Sequence, residues 1–144
     1  MVNYVVQLET GHYNLSPDLF RTYAVQYLQC HRAFKPDAKY SPVPYFLICR
    51  SIELSLKAKH LEVKSRKDVK DKYGHNLAKL YDELPPEQKK LEAPEYDALL
   101  AASTIYDVPN KGFEYVSVYD AVTGLKSFPD VAVLEQIAER LLQK

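Results

Sequence analysis

Apolar side chains recur at steps of three and four residues along most of this chain, the period that lines up one side of an α-helix. Phe20, Tyr23, Ala24, Tyr27 and Leu28 form the first such face. Ser16-Pro17-Asp18 ahead of them is a helix start, because Ser can cap free N–H groups, Pro suits the first turn and Asp complements the dipole. That helix is expected to end near Lys35-Pro36. A second, opened by Ser41-Pro42-Val43-Pro44, is predicted over 43–63 as the longest and most apolar segment. Leu77, Leu80, Tyr81 and Leu84 predict a third, stopped by Pro85-Pro86. Pro94 starts a fourth with Tyr96, Leu99, Leu100, Ser103 and Tyr106, and Pro129-Asp130 a last one with Val131, Leu134, Ile137, Ala138, Leu141 and Leu142.

Between these helices lie a short helical turn within 64–72 and another within 87–93. Residues 1–14 show no helical period and are expected to be an extended arm, while the Val- and Tyr-rich run Phe113 to Tyr119 before Thr123-Gly124 suggests a small β-hairpin near residues 113–127. The fold expected is mainly α, an up-and-down bundle of about five helices in one domain spanning 1–144.

Composition supports a globular chain: 144 residues, 47% hydrophobic, 26% charged and only four Gly. With 19 basic and 19 acidic residues no global field attracts nucleic acid, so anion binding would need a local patch. The densest basic stretch, Lys57 to Lys72, is either a solvated helix face or such a patch. Cys30 and Cys49 form no CxxC pair, no run is long and apolar enough to span a membrane, and the N-terminus does not resemble a signal peptide, so a cytoplasmic protein with reduced thiols is expected.

Projected at about 100° per residue, Arg50, Glu53, Lys57 and His60 of the second helix fall within a sector of roughly 80°. Apolar residues flank this stripe on both sides, Leu47, Leu54 and Leu61 on one and Tyr45, Cys49 and Leu56 on the other. A plain surface helix has one broad polar face. A line of charge between apolar borders therefore points to a groove or subunit interface, the alternative being an i,i+4 pair of Glu53 and Lys57 beside solvated neighbours.

The run Tyr45 to Ala58, with Glu53-Leu54-Ser55-Leu56-Lys57-Ala58 at its end, followed by Gly74-His75-Asn76-Leu77-Ala78-Lys79-Leu80, resembles the HEPN superfamily over residues 40–144. The resemblance implies a dimerising helical bundle, with roles in that family including RNA cleavage, pairing with a small nucleotidyltransferase, and nucleotide binding. It carries over Glu53, Lys57 and His75 as matching positions, His75 capping or bracing the third helix. The family's nuclease members carry Arg and His separated by four to six residues, whereas nine residues separate Arg50 from His60 and eight separate Arg66 from His75. Glu114 also stands where similar proteins often place Arg.

The expectation is a non-catalytic HEPN-like binding and dimerisation module for nucleotide or RNA, with Arg50, Glu53, Lys57, His60 and His75 at the ligand site or interface. The alternatives are a divergent metal-independent endoribonuclease and a partner subunit of a nucleotidyltransferase. The scattered glycines exclude a P-loop, and the spacing of His12, His31, His60 and His75 offers no metal motif, so neither cofactor nor metal is expected. Of the tyrosines, Tyr23, Tyr27, Tyr81, Tyr96 and Tyr106 are assigned to core faces, and Tyr40, Tyr73 and Tyr115, near turns, to contact with a ligand or partner.

Overall fold

The computed structural model describes residues 5–8, 11–37, 41–107, 118–123 and 125–143. Within them the chain forms a short antiparallel hairpin and then seven α-helices. The hairpin pairs β1 (Val5–Leu8) with β2 (Gly11–Asn14), Val5 opposite Asn14 and Leu8 opposite Gly11, so the expected extended arm is a paired ribbon. The hairpin expected near 113–127 falls partly outside the described residues. Its described part from Val118 to Thr123 is a helix, a correction the Val-rich composition did not signal.

Proline and short polar residues set the helix ends. The first helix, α1 (Ser16–Ala33), includes Ser16 in its first turn, with Leu15 rather than Ser16 at the cap position, and stops before Pro36. The second, α2 (Val43–Leu61), begins beside Pro42 and Pro44. Next, α3 (Arg66–Tyr73) is capped by Ser65, whose hydroxyl accepts from the Asp68 N–H at 3.1 Å, and it ends at Gly74 in the left-handed region (φ 53°) that glycine tolerates. The fourth, α4 (Leu77–Asp82), is capped by Asn76, whose side chain accepts from the Lys79 N–H at 2.9 Å. After a single 3-10 turn at Pro86–Gln88, α5 (Ala93–Tyr106) opens with a capping box between Glu92 and Glu95. Then come α6 (Val118–Thr123) and α7 (Val131–Leu142), the latter capped by Asp130.

The axis of the bundle is α2. It packs against α1, α3, α4, α5 and α7, and burial on several sides explains why its apolar residues do not form one simple face. Ile48, Cys49, Ile52, Glu53, Leu56 and Ala58 are all fully buried on it. The core continues through Leu77 and Leu80 of α4, Leu99 of α5 and Leu134 and Ile137 of α7. Polar ties join the layers: Ser51 donates to the Ala24 carbonyl at 2.7 Å, His31 Nδ1 donates to the Pro44 carbonyl at 2.9 Å, and Arg140 donates to Glu95 at 3.0 Å between α7 and α5. No described helix is long and apolar enough to cross a membrane, and both cysteines are free.

Because Leu56 is enclosed on all sides, Leu56→Ala is expected to cost about 2–5 kcal/mol. Urea unfolding followed by circular dichroism checks this, with the midpoint falling and the slope unchanged.

Candidate functional site

Glu53 lies in the middle of α2 with no exposed surface. A carboxylate placed there without partners would be protonated or would unfold its surroundings. Four donors surround it instead. Oε1 accepts from Arg50 Nη1 at 2.7 Å and from the Tyr106 hydroxyl at 2.6 Å, and Oε2 from Lys57 Nζ at 2.8 Å and His75 Nδ1 at 2.6 Å. Two of these come from its own helix at i−3 and i+4, one from the loop between α3 and α4, and one from the last residue of α5.

The electrostatics follow from this geometry. Burial alone raises the pKa of Glu53, but the Lys57 ammonium, the Tyr106 hydroxyl and the Arg50 guanidinium outweigh it and hold the carboxyl below its ordinary value. Burial and the Glu53 charge push the Tyr106 hydroxyl up, keeping it a donor. Desolvation opposes the charge on Arg50, yet Glu53 and Tyr106 together raise its pKa further.

His60 does not join this cluster. Its Nε2 donates to the Leu80 carbonyl at 2.8 Å, Nδ1 accepts from Lys64 at 3.2 Å, and its ring lies 4.5 Å from that of Tyr73. Desolvation lowers its pKa, only partly countered by the Leu80 carbonyl, so it is a neutral strut between α2 and α4. His75 does not cap α4; that is done by Asn76, which frees the imidazole to turn back to Glu53.

Beside Glu53 is a cavity of about 170 Å³ lined by Phe20, Leu54, Leu61 and Val69 and by five basic side chains, Arg50, Lys57, Arg66, Lys70 and His75. Among the described residues no acidic side chain lines it. Phe20, Arg50 and Leu54 also border an open groove of about 440 Å³ that continues along α1 past Tyr23, Gln26, Tyr27 and Cys30. The Arg50 guanidinium stands 5.8 Å from the centre of the Tyr27 ring, and that of Arg66 5.7 Å from Phe20, both cation–π distances.

Sequence reasoning thus found Arg50, Glu53, Lys57 and His75, which converge, and His60, which lies apart. Tyr106, expected on a core face, is the fourth donor, and its distance of 53 residues along the chain leaves no local signal of that role. Lys70 enters the sequence reading only as a member of the basic stretch, and Arg66 only there and in its spacing from His75. The tyrosine assignments need correction as well: Tyr23 is 46% exposed in the groove, whereas Tyr73 is buried; Tyr40 and Tyr115 lie outside the described residues. Comparison of the chain with protein families, with curated proteins and with solved structures finds no match.

Removing the Glu53 charge strands the cations that depend on it, so Glu53→Gln is expected to destabilise the fold by about 3–5 kcal/mol in urea unfolding at pH 7. Stability should also fall in two stages on acidification. His60 has a folded pKa below its ordinary 6.5, so its contribution is intact above that value and lost as pH drops through the lower folded value. Glu53, depressed below 4.5, contributes above that value and is lost at lower pH still. Thermal melts across about pH 3–8, which spans both ordinary values, check this, and His60→Gln should remove the first stage only.

Proposed function

We propose that this protein is a HEPN-like, non-catalytic module that binds a phosphate-bearing ligand, nucleotide or RNA, in the basic cavity beside Glu53. The observation that carries the proposal is the lining itself: Arg50 and Lys57 from α2, Arg66 and Lys70 from α3 and His75 from the following loop meet around one small space. In a chain of zero net charge such a concentration is local. Guanidinium and ammonium groups in a partly apolar wall are the usual means of holding phosphate oxygens.

The same geometry favours binding over catalysis. Glu53 would be the natural general base, yet each of its oxygens already accepts two hydrogen bonds and its low proton affinity suits an anchor better than a proton acceptor. His75 spends Nδ1 on that carboxylate. A cytoplasmic setting and a homodimer are part of the proposal, the homodimer through the HEPN resemblance; a role as partner subunit of a nucleotidyltransferase is an alternative that rests on the same resemblance.

Arg66 and Lys70 lie outside the Glu53 hydrogen bonds, so they can be changed without disturbing that anchor. The double variant Arg66→Ala/Lys70→Ala is expected to weaken binding of a fluorescent single-stranded RNA and of ATP by about tenfold or more, and to flatten the salt dependence of RNA binding. The RNA should emerge uncut from prolonged incubation. Fragments whose formation His75→Ala abolishes in a folded protein would replace this proposal with the endoribonuclease alternative.

A further inference from the structure

The last turns of α2 and α7 and the 3-10 turn at Pro86–Gln88 border a second cavity, of about 410 Å³. Among the described residues it shares no lining side chain with the cavity beside Glu53 or with the groove along α1. Its volume falls within the roughly 300–1,000 Å³ usual for small-molecule sites.

Charged side chains of both signs line this space, and they divide by whether the protein itself provides their partners. Arg21 pairs with Asp18 and Glu62, and Arg140 with Glu95 at 3.0 Å and Glu92 at 3.8 Å, so both arginines and Glu62 are compensated within the fold. The side chains of Lys59, Lys90 and Glu87 make no hydrogen bond or ion pair with any described residue. Lys59 is half-buried on α2. Burial lowers its pKa most, the charges of Arg21 and Lys90 lower it further, and Glu62, already engaged by Arg21, offsets only part of this. An ammonium that has lost part of its hydration among repelling neighbours gains from an anion brought into the space.

The lining also states what else the ligand carries. Two lysines without partners match two negative charges. Glu87 and the C-terminal end of α7 favour a positive group with several N–H donors, because the last carbonyls of a helix lack donors within it and its dipole is negative there. Leu141 and Leu142, at that same helix end, offer an apolar wall to a short hydrocarbon spacer. A plain dicarboxylate leaves Glu87 unmatched, and a neutral zwitterion leaves one lysine unmatched. Two carboxylates and one ammonium on a spacer of a few carbons satisfy both. We infer that this cavity binds an acidic α-amino acid, its carboxylates on Lys59 and Lys90, its ammonium between Glu87 and the end of α7, and its methylenes against Leu141 and Leu142.

Isothermal titration calorimetry of the full chain with L-glutamate, L-aspartate, L-glutamine and glutarate tests this. Glutamate or aspartate should bind about tenfold or more tightly than glutamine, which lacks the second carboxylate, and than glutarate, which lacks the ammonium. Lys59→Gln should weaken the acidic amino acid by about tenfold or more, and Lys90→Gln, at an exposed position, should do the same if a thermal melt shows Lys59→Gln to be unfolded. Glu87→Gln should weaken glutamate and leave glutarate unchanged. Arg66→Ala/Lys70→Ala should leave glutamate binding as it is, which separates this cavity from the one beside Glu53. No binding of either acidic amino acid up to about 10 mM, glutamine or glutarate equal to glutamate, or affinity indifferent to the lysine variants would each overturn the inference. So would loss of glutamate binding in Arg66→Ala/Lys70→Ala, which would move the ligand to the other cavity.

Discussion

The rest of this structure depends on one buried carboxylate. Glu53 sits where the core helix α2 would otherwise carry an apolar residue, and it can be ionised there only if donors from other parts of the chain reach it. Arg50 and Lys57 are supplied by helix geometry alone, whereas His75 and Tyr106 arrive only when the loop before α4 and the end of α5 have docked. The ion is thus a gauge of correct assembly: a bundle packed in another register would leave it short of partners. Hydrophobic contact holds α1, α4, α5 and α7 around α2, but it is nondirectional, and the carboxylate adds the direction.

The anchor also shapes the surface beside it. By holding Arg50 and Lys57 in place, Glu53 preorganises two cations at the wall of the cavity, which would spare the proposed ligand the entropy of ordering long side chains. The eight-residue helix α3 adds Arg66 and Lys70 from the other side. A partly apolar floor of Phe20, Leu54, Leu61 and Val69 lowers the local dielectric, so these charges would act on an anion placed there more strongly than in open solvent. His60 shows the contrasting use of a polar group on the same helix. It is buried, neutral and fully occupied by Leu80 and Lys64, and it serves as a brace.

Much of the helical layout could be read from the chain because its punctuation is chemical and local. Pro36, Pro42, Pro85 and Pro94 bar helix continuation or favour initiation, and Asn76 and Asp130 cap by side-chain hydrogen bonds within three residues. The stripe of Arg50, Glu53 and Lys57 was legible for the same reason, since residues three and four apart on a helix must meet. His60 projected into the same sector, but two turns above Glu53 the neighbour is α4 rather than the His75 loop, and the projection of a single helix contains no information about its neighbours. Tyr23 and Tyr73 exchanged their expected environments for a related reason: periodicity orders residues around one axis and does not say which side of α1 is left uncovered, or that α3 folds Tyr73 inward against His60.

By itself, then, the sequence determined the approximate bounds of the main helices, α6 excepted, that α2 would be the central helix, and that a line of charge would run along it, all consequences of backbone sterics, capping and the helical period. Only the tertiary structure decided that Glu53 would be sealed by Tyr106 and His75, from 53 and 22 residues away, and that Arg66 and Lys70 would face Arg50 and Lys57 across a cavity opening onto the tyrosines of α1. Those contacts join residues remote in sequence, and their formation depends on how whole helices pack, which local spacing cannot express.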